Sequence, residues 1–348
     1  MAGPPLVTSL SQAFVAFTIE ADNEFESRMP HRTAADRGNP SATGPLLTSL
    51  TFWSNYLRHI PDEGCTVREL ARGAGDGASA ISSRLHELHR WGYVRVGPDE
   101  GDQGERLITL TTGGTLARET WAPIEALVEE RWRTRFGDRT LDALRAGLAD
   151  LSVPGGLPLG FPILAWDRVR PGHTATPTPT PGLSTLLARA ILAMALEFDH
   201  ESPLSLATAL DLTRLLERPL LVRDLPLRAG VSKEAIAIGV GRLARGGLAK
   251  VSGSPKSVAL TPRGHAATRA SLEQCVELEA RWDTTTSLHD VLADVVGPAL
   301  AEGLVPPEEG WRTRPPYLAQ TRATLADPVA ALPHFPMVSH RGGYPDGS

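Results

Sequence analysis

Several blocks of this chain occur twice, in the same order. Residues 13–24, AFVAFTIEADNE, align with 190–201, AILAMALEFDHE, keeping Glu20 over Glu197, Asp22 over Asp199 and Glu24 over Glu201. TVRELARGAG (66–75) aligns with LVRDLPLRAG (221–230), and ELHRWGYVRV (87–96) with RLARGGLAKV (242–251). LTTGG (110–114) then matches LTPRG (260–264), and EERW (129–132) matches EARW (279–282). Chance supplies any one such match, but a collinear set points to internal duplication, so whatever one half folds into the other must fold into as well.

Between the copies lies TATPTPTPG, residues 174–182. Alternating proline removes every second backbone donor and biases the residue before it towards extended conformations, so neither a helix nor an interior strand runs through it. It reads as a stiff spacer. The expected division is 1–166 for the first repeat, 167–182 for the Thr/Pro-rich linker and 183–348 for the second repeat with a Pro/Gly-rich tail. The 348 residues suffice for two domains, each large enough for its own core. The first copy carries about twenty extra residues after its opening helix, and its hairpin is longer; insertions at turns cost little closure entropy.

Within the first copy, LLTSLTFWSNYLRHI (46–60) places Leu46, Leu50, Trp53 and Leu57 at helical spacing. Thr66 followed by Glu69 is a capping box that starts a short helix ending in Gly. GASAISSRLHELHRWG (77–92) spaces Ile81, Leu85 and Leu88 for burial, so the pair reads as helix-turn-helix. YVRVG and RLITLT alternate as the strands of a hairpin, and two helical segments follow, 115–137 and 139–151. The tail from residue 332, LPHFPMVSHRGGYPDGS, is too rich in Pro and Gly for a helix and is expected to lie over a groove or to be loose.

This order of parts, carried by TVRELARGAG, SSRLHELHRWGYVRV and LITLTTGG in the first copy and by VRDLPLRAGVSKEAI, RLARGGLAKV and VALTPRG in the second, resembles the MarR-type winged-helix regulators. The resemblance implies a mainly α fold with small β-hairpin wings, two tandem winged helix-turn-helix repeats forming a pseudo-two-fold dimer. It also implies a sequence-specific, double-stranded-DNA-binding transcriptional regulator that reads one asymmetric operator as a single chain, with half-sites about one helical turn apart. A small aromatic effector between the closing helices and the winged domain would by the same resemblance make it ligand-responsive, with Phe52, Trp53, Tyr56, Trp121 and Trp132 as lining; the same residues at helical spacing also fit an ordinary core.

The first recognition helix offers Ser79, Ser83, His86 and Arg90 as a polar stripe, flanked by Ser82 and Arg84. Hydroxyls and guanidinium groups there suit phosphates and base edges. Its wing is discordant: Asp99, Glu100, Asp102 and Glu105 would be repelled by phosphate, leaving Arg95 and Arg106 as contacts. In the second copy Glu234, Ile238, Gly241 and Arg245 replace the stripe, while Ser232, Lys233, Arg242, Arg245, Lys250 and Lys256 make the surroundings basic. The first copy is therefore expected to specify bases, with Ile238 at most touching a thymine methyl, and the second to grip the backbone.

Net charge is −5, so bulk attraction to nucleic acid or membrane is excluded and any basic face must be local. Two cysteines, Cys65 and Cys275, exclude a disulfide framework. The N-terminus lacks a signal-peptide pattern and no apolar run approaches about 18 residues, so a cytoplasmic, non-membrane protein is expected. Other chemistry is thin. The two Glu-x-Asp-x-Glu clusters admit a cation site or, on the commoner reading, residues at the helix end that are solvated or salt-bridged, with Arg58 and Arg214 as candidate partners; His86 and His89 have metal spacing without a third ligand. No nucleophile, phosphate-loop or metalloenzyme motif is present, so no enzyme, no cofactor and no metal are expected. The alternative is a degenerate winged-helix module that binds protein through its acidic wing. Self-association is left open.

Overall fold

The computed structural model describes residues 4–32, 44–45, 50–74, 78–98, 106–151, 181–282, 286–315 and 317–336. The acidic segment 99–105, residues 75–77 and all but the last two residues of the expected linker lie outside them. The described residues are mainly helical, with two small three-stranded antiparallel sheets among them.

The first half runs α1 (Leu6–Arg28), α2 (Leu50–Leu57), β1 (Cys65–Thr66), α3 (Val67–Ala74), α4 (Ala78–Trp91), β2 (Val94–Pro98), β3 (Arg106–Leu110), α5 (Thr112–Trp121), α6 (Ile124–Phe136) and α7 (Asp138–Ala149). The capping box forms: Thr66 N–H donates to Glu69 Oε2 at 2.8 Å and Glu69 N–H to Thr66 Oγ1 at 3.2 Å. Gly92, at φ +91, ends α4, and the 115–137 segment splits into α5 and α6 because Pro123 cannot donate into a continuous helix.

The second half repeats the order: α8 (Leu183–Glu201), a π-helical turn Thr208–Leu212 with a 3-10 turn Thr213–Glu217, β4 (Leu220–Leu221), α9 (Leu225–Ala229), α10 (Lys233–Arg245), β5 (Ala249–Ser252), β6 (Ser257–Leu260), α11 (Pro262–Trp282) and α12 (Thr286–Val295). Without a counterpart of Pro123, α11 is unbroken. A C-terminal extension adds 3-10 turns Pro298–Leu304 and Trp311–Thr313, α13 (Leu318–Ala326) and α14 (Pro328–Ala331).

The sheets share one topology and one register. The central strand is the last in sequence, in the orders β1-β3-β2 and β4-β6-β5. Cys65 pairs with Ile108 as Leu220 pairs with Val258, and Val94 pairs with Leu110 as Ala249 pairs with Leu260. The Leu-Thr-x-x-Gly motif explains how each hairpin joins its following helix. Thr111 Oγ1 donates to Gly92 O at 2.7 Å and accepts from Gly114 N at 3.0 Å; Thr261 repeats this with Gly247 O at 2.8 Å and Gly264 N at 3.1 Å. A Cβ on Gly114 would overlap the Tyr93 carbonyl, and one on Gly264 the Leu248 carbonyl, so both positions need glycine for close approach.

Contacts between the halves come in reciprocal pairs. Like packs on like, α1 on α8 and α7 on α12, while α1 meets α12 as α7 meets α8. The helix starts are exchanged too. Neither Pro5 before α1 nor Gly182 before α8 caps its helix through a side chain. Glu279 of α11 accepts instead from Leu6 N at 2.6 Å and Val7 N at 2.9 Å, and the matching Glu129 of α6 accepts from Leu183 N at 3.3 Å. Glu125 adds a bond from the Ser184 hydroxyl. Each half thus supplies the carboxylate that the other's first helix needs at its positive end. Although each half is long enough for a core of its own, the buried side chains of both form one contiguous cluster.

Candidate nucleic-acid interface

On α4, Ile81, Leu85 and Leu88 are buried against the core, which turns Ser82, Ser83, His86 and Arg90 to the surface, with Arg84 half-buried. Ser79 is helical, but its side chain lies outside the described residues. Arg95 on β2 and Arg106 on β3 are exposed, and Arg106 Nη2 reaches Ser82 Oγ at 3.5 Å, so hairpin and helix meet at one surface. That contact joins expected residues of α4 and β3. Of the acidic wing, Asp99, Glu100, Asp102 and Glu105 lie outside the described residues.

On α10, Ala235, Ile236, Gly239, Val240 and Leu243 face inward. Lys233, Ala237, Ala244 and Arg245 are exposed, and Glu234, Ile238, Gly241 and Arg242 are half-buried. Lys250 and Lys256 stand exposed on the β5–β6 hairpin. Lys233 Nζ sits 3.6 Å from Glu234 Oε1, which offsets some of its charge. One expectation needs correction. Ser232 is 3 % exposed and its hydroxyl accepts from Ala235 N at 3.1 Å, so it is a buried N-cap rather than a surface contact. Ile238 is half-buried and packs in part against the core cluster.

The aromatic set expected to line an effector site is placed in packing. Trp53, Tyr56 and Trp132 are fully buried. Trp53 stacks edge-on against Trp91 at 4.9 Å and tilts on Tyr56 at 5.9 Å. Trp132 sits between Phe17 and Phe136, each 5.3 Å away, and its indole donates to Glu20 Oε2 at 3.1 Å. Trp121 is half-buried beside Phe25 at 6.2 Å, and the Phe52 side chain lies outside the described residues. Trp53, Tyr56, Trp121 and Trp132 line neither the small cavity between α1, α13 and the Gly230 turn nor the open groove beside Glu20 and Glu24. Trp53, Tyr56 and Trp132 are core, since these rings close the joint of α1 with α2 and α6.

Three of the clustered carboxylates, Glu20, Glu24 and Glu197, are ion-paired, with Arg135, Arg131 and Arg281 in the later helices. Glu20 takes a bidentate Arg135 at 3.0 and 3.1 Å, and Glu24 takes Arg131 at 2.5 Å together with Arg28. Burial acts against the Glu24 charge, yet Arg131 and Arg28 hold its carboxyl below the ordinary value. In the second half Glu197 accepts from Trp282 Nε1 and Arg281, both at 2.7 Å, and Glu201 from Gln274 at 3.1 Å. Asp199 accepts from Leu206 N at 3.0 Å. These carboxylates bolt each first helix to the later helices. Sequence reasoning missed them because the Arg and Trp partners lie far along the chain, although the repeated Glu-x-Arg-Trp block carried the signal.

Arg58 and Arg214 are instead sequestered. Burial lowers both from the ordinary guanidinium value, opposed by Glu125 for Arg58 and by Asp211 for Arg214. Burial, then the neighbouring Arg58, brings His59 down to about 4. Burial also pushes Cys65 up to about 11 and Cys275 up to about 12, which makes both thiols inert at neutral pH. His89 Nδ1 lies 3.1 Å from Val94 O, and among the described residues no three His, Cys, Asp or Glu side chains gather as a metal site. Among the same residues no helix is long and apolar enough to cross a membrane. Compared with protein-family models and with curated proteins, the chain matches none.

Proposed function

We propose that this chain is a DNA-binding transcriptional regulator, a tandem winged-helix protein of MarR type in which one polypeptide forms the pseudo-two-fold dimer. The observation that carries the reading is the duplicated unit of helix pair and three-stranded sheet, each with its second helix exposed beside a hairpin bearing cations. The reciprocal α1–α8 and α7–α12 packing is what an isologous interface between two subunits would look like after gene fusion. In a duplex complex α4 would enter a major groove with Ser83, His86 and Arg90 towards base edges, and Arg95 and Arg106 would lie against the backbone. The second head, with Ala237 and Ala244 exposed on α10, has little to read with; Lys233, Arg242, Arg245, Lys250 and Lys256 would add phosphate affinity. One asymmetric operator follows.

The test is selection of bound fragments from genomic DNA, followed by titration of the selected duplex over a salt series. The reading expects affinity that falls steeply with salt and an Arg90→Ala variant weakened on the selected site by about tenfold or more. Absence of duplex binding at low salt would overturn it. The bare surface of α10 favours a second reading, a protein-binding module, which the same titration separates because it expects no duplex affinity at any salt concentration.

A further inference from the structure

The two heads are not held alike. Residues 328–335, α14 and the segment after it, lie across both halves of the molecule. From α1 of the first half, Gln12 Nε2 donates to Val329 O at 2.7 Å, Ser11 Oγ to Pro333 O at 2.9 Å, and Thr8 Oγ1 lies 3.1 Å from His334 Nδ1. From the second half, Asp211 in the π-helical turn accepts the Phe335 N–H at 3.0 Å. Leu332 and Phe335 are 3 % and 1 % exposed, so the segment enters the core rather than resting on it. It also occupies the turn between α9 and α10. Gly230, at φ +69, would with a Cβ overlap the Ala331 carbonyl and approach Pro333 N to 2.9 Å. α13 and α14 both pack on α9.

We propose that residues 328–335 are a latch that fixes the orientation of the second recognition helix, α10, against the first half through Asp211, the Gly230 turn and Thr8–Gln12. The functional part of this proposal rests on the DNA-binding reading above. The latch grips the one turn from which α10 starts, and its other side is held by α1, which belongs to the opposite half. A head that reads few bases contributes mainly by being in the right place when the first head docks, so fixing its position raises the effective concentration of its phosphate contacts. Undocking would leave α10 folded on its own helix pair but free to change its angle to α4.

The measurement is the distance distribution between spin labels at Arg72→Cys on α3 and Ala244→Cys on α10, both exposed positions, in the full chain without DNA. Buried Cys65 and Cys275 resist labelling. The latched chain should give one narrow distribution. Phe335→Ala should broaden it, and the Ser11→Ala/Gln12→Ala pair, which removes the bonds to Pro333 and Val329 but keeps Leu332 and Phe335, should broaden it with unchanged helicity. A narrow, unshifted distribution in both variants overturns the latch. On the selected duplex, Phe335→Ala should lose about tenfold in affinity, to the level of a chain carrying Arg245→Ala/Lys250→Ala; undiminished affinity despite broadening overturns the functional part of the latch. Broadening in the two variants, when the parent chain is narrow but binds no duplex at any salt concentration, removes the DNA-binding reading and leaves the mechanical latch standing.

Discussion

Single residues carry two readable consequences. His59 and His334 both titrate about 4, lowered first by burial and then by Arg58 and Arg214 respectively. The groups facing His334 are Arg214 and Asp211 from the second half and the Thr8 hydroxyl from α1. Because the folded values lie below the unfolded 6.5, the unfolded chain takes up protons that the fold refuses, so stability is whole above about pH 6.5 and drains away towards about pH 4. After discounting residual solvent contact, the loss is on the order of 2 kcal/mol per ring. Thermal midpoints measured from pH 7 to pH 4 should fall accordingly, and His334→Gln should flatten part of that fall. Asp211 works the other way: burial raises its carboxyl well above the ordinary value against the pull of Arg214 and the Phe335 and His334 amides. Its contribution is present at low pH and lost as pH rises through the raised value, so Asp211→Asn, which keeps an acceptor for Phe335, should make stability less sensitive to alkali. The glycines give the sharper contrast. Gly114→Ala and Gly264→Ala force a hairpin away from its helix and should each cost about 3 kcal/mol, whereas Gly97→Ala, with open space around the added carbon, should cost well under about 1 kcal/mol in urea unfolding. The need for glycine at 114 and 264 was legible as a repeated motif; the carbonyl that enforces it was not.

Local signals fixed most helices and strands, because capping boxes, glycine stops and alternation act within a few residues. Thr66 with Glu69, Gly92 and the 94–98/106–110 hairpin all formed as their residues dictate. The break at Pro123 follows from the same chemistry, although periodicity runs across it. What local reasoning could not supply was the start of α1 and α8, whose caps come from the other half. An isolated α1 would leave its first amides unsatisfied behind Pro5. Glu279→Ala should therefore destabilise the protein by about 1–2 kcal/mol and loosen α1, and Glu129→Ala should loosen α8, each mutation acting on the half that does not contain it. Amide exchange resolved by helix checks this; loosening confined to α11 or α6 would contradict the exchanged caps.

The duplication read from the sequence implied two similar units, but composition and periodicity cannot say whether such units sit apart or interlock. Their packing is decided by apolar faces that look alike: α1 and α8 are buried nearly all round, too much for a helix serving only its own half. Each therefore completes the other's core, with α7 and α12 closing the opposite side. Cutting the chain within 152–180 should then leave two fragments that fail to fold alone yet assemble when co-expressed, as separate subunits of an obligate dimer do. Circular dichroism of each fragment and light scattering of the mixture measure this; a stable, monomeric fragment 183–348 would show that the shared core is dispensable. The same interlock constrains function, since heads seated on a common core cannot be spaced at will. If both touch DNA, inserting base pairs between the half-sites of a selected operator should cost affinity with the period of the double helix, recovering after about ten base pairs, whereas independently tethered heads would tolerate every spacing alike.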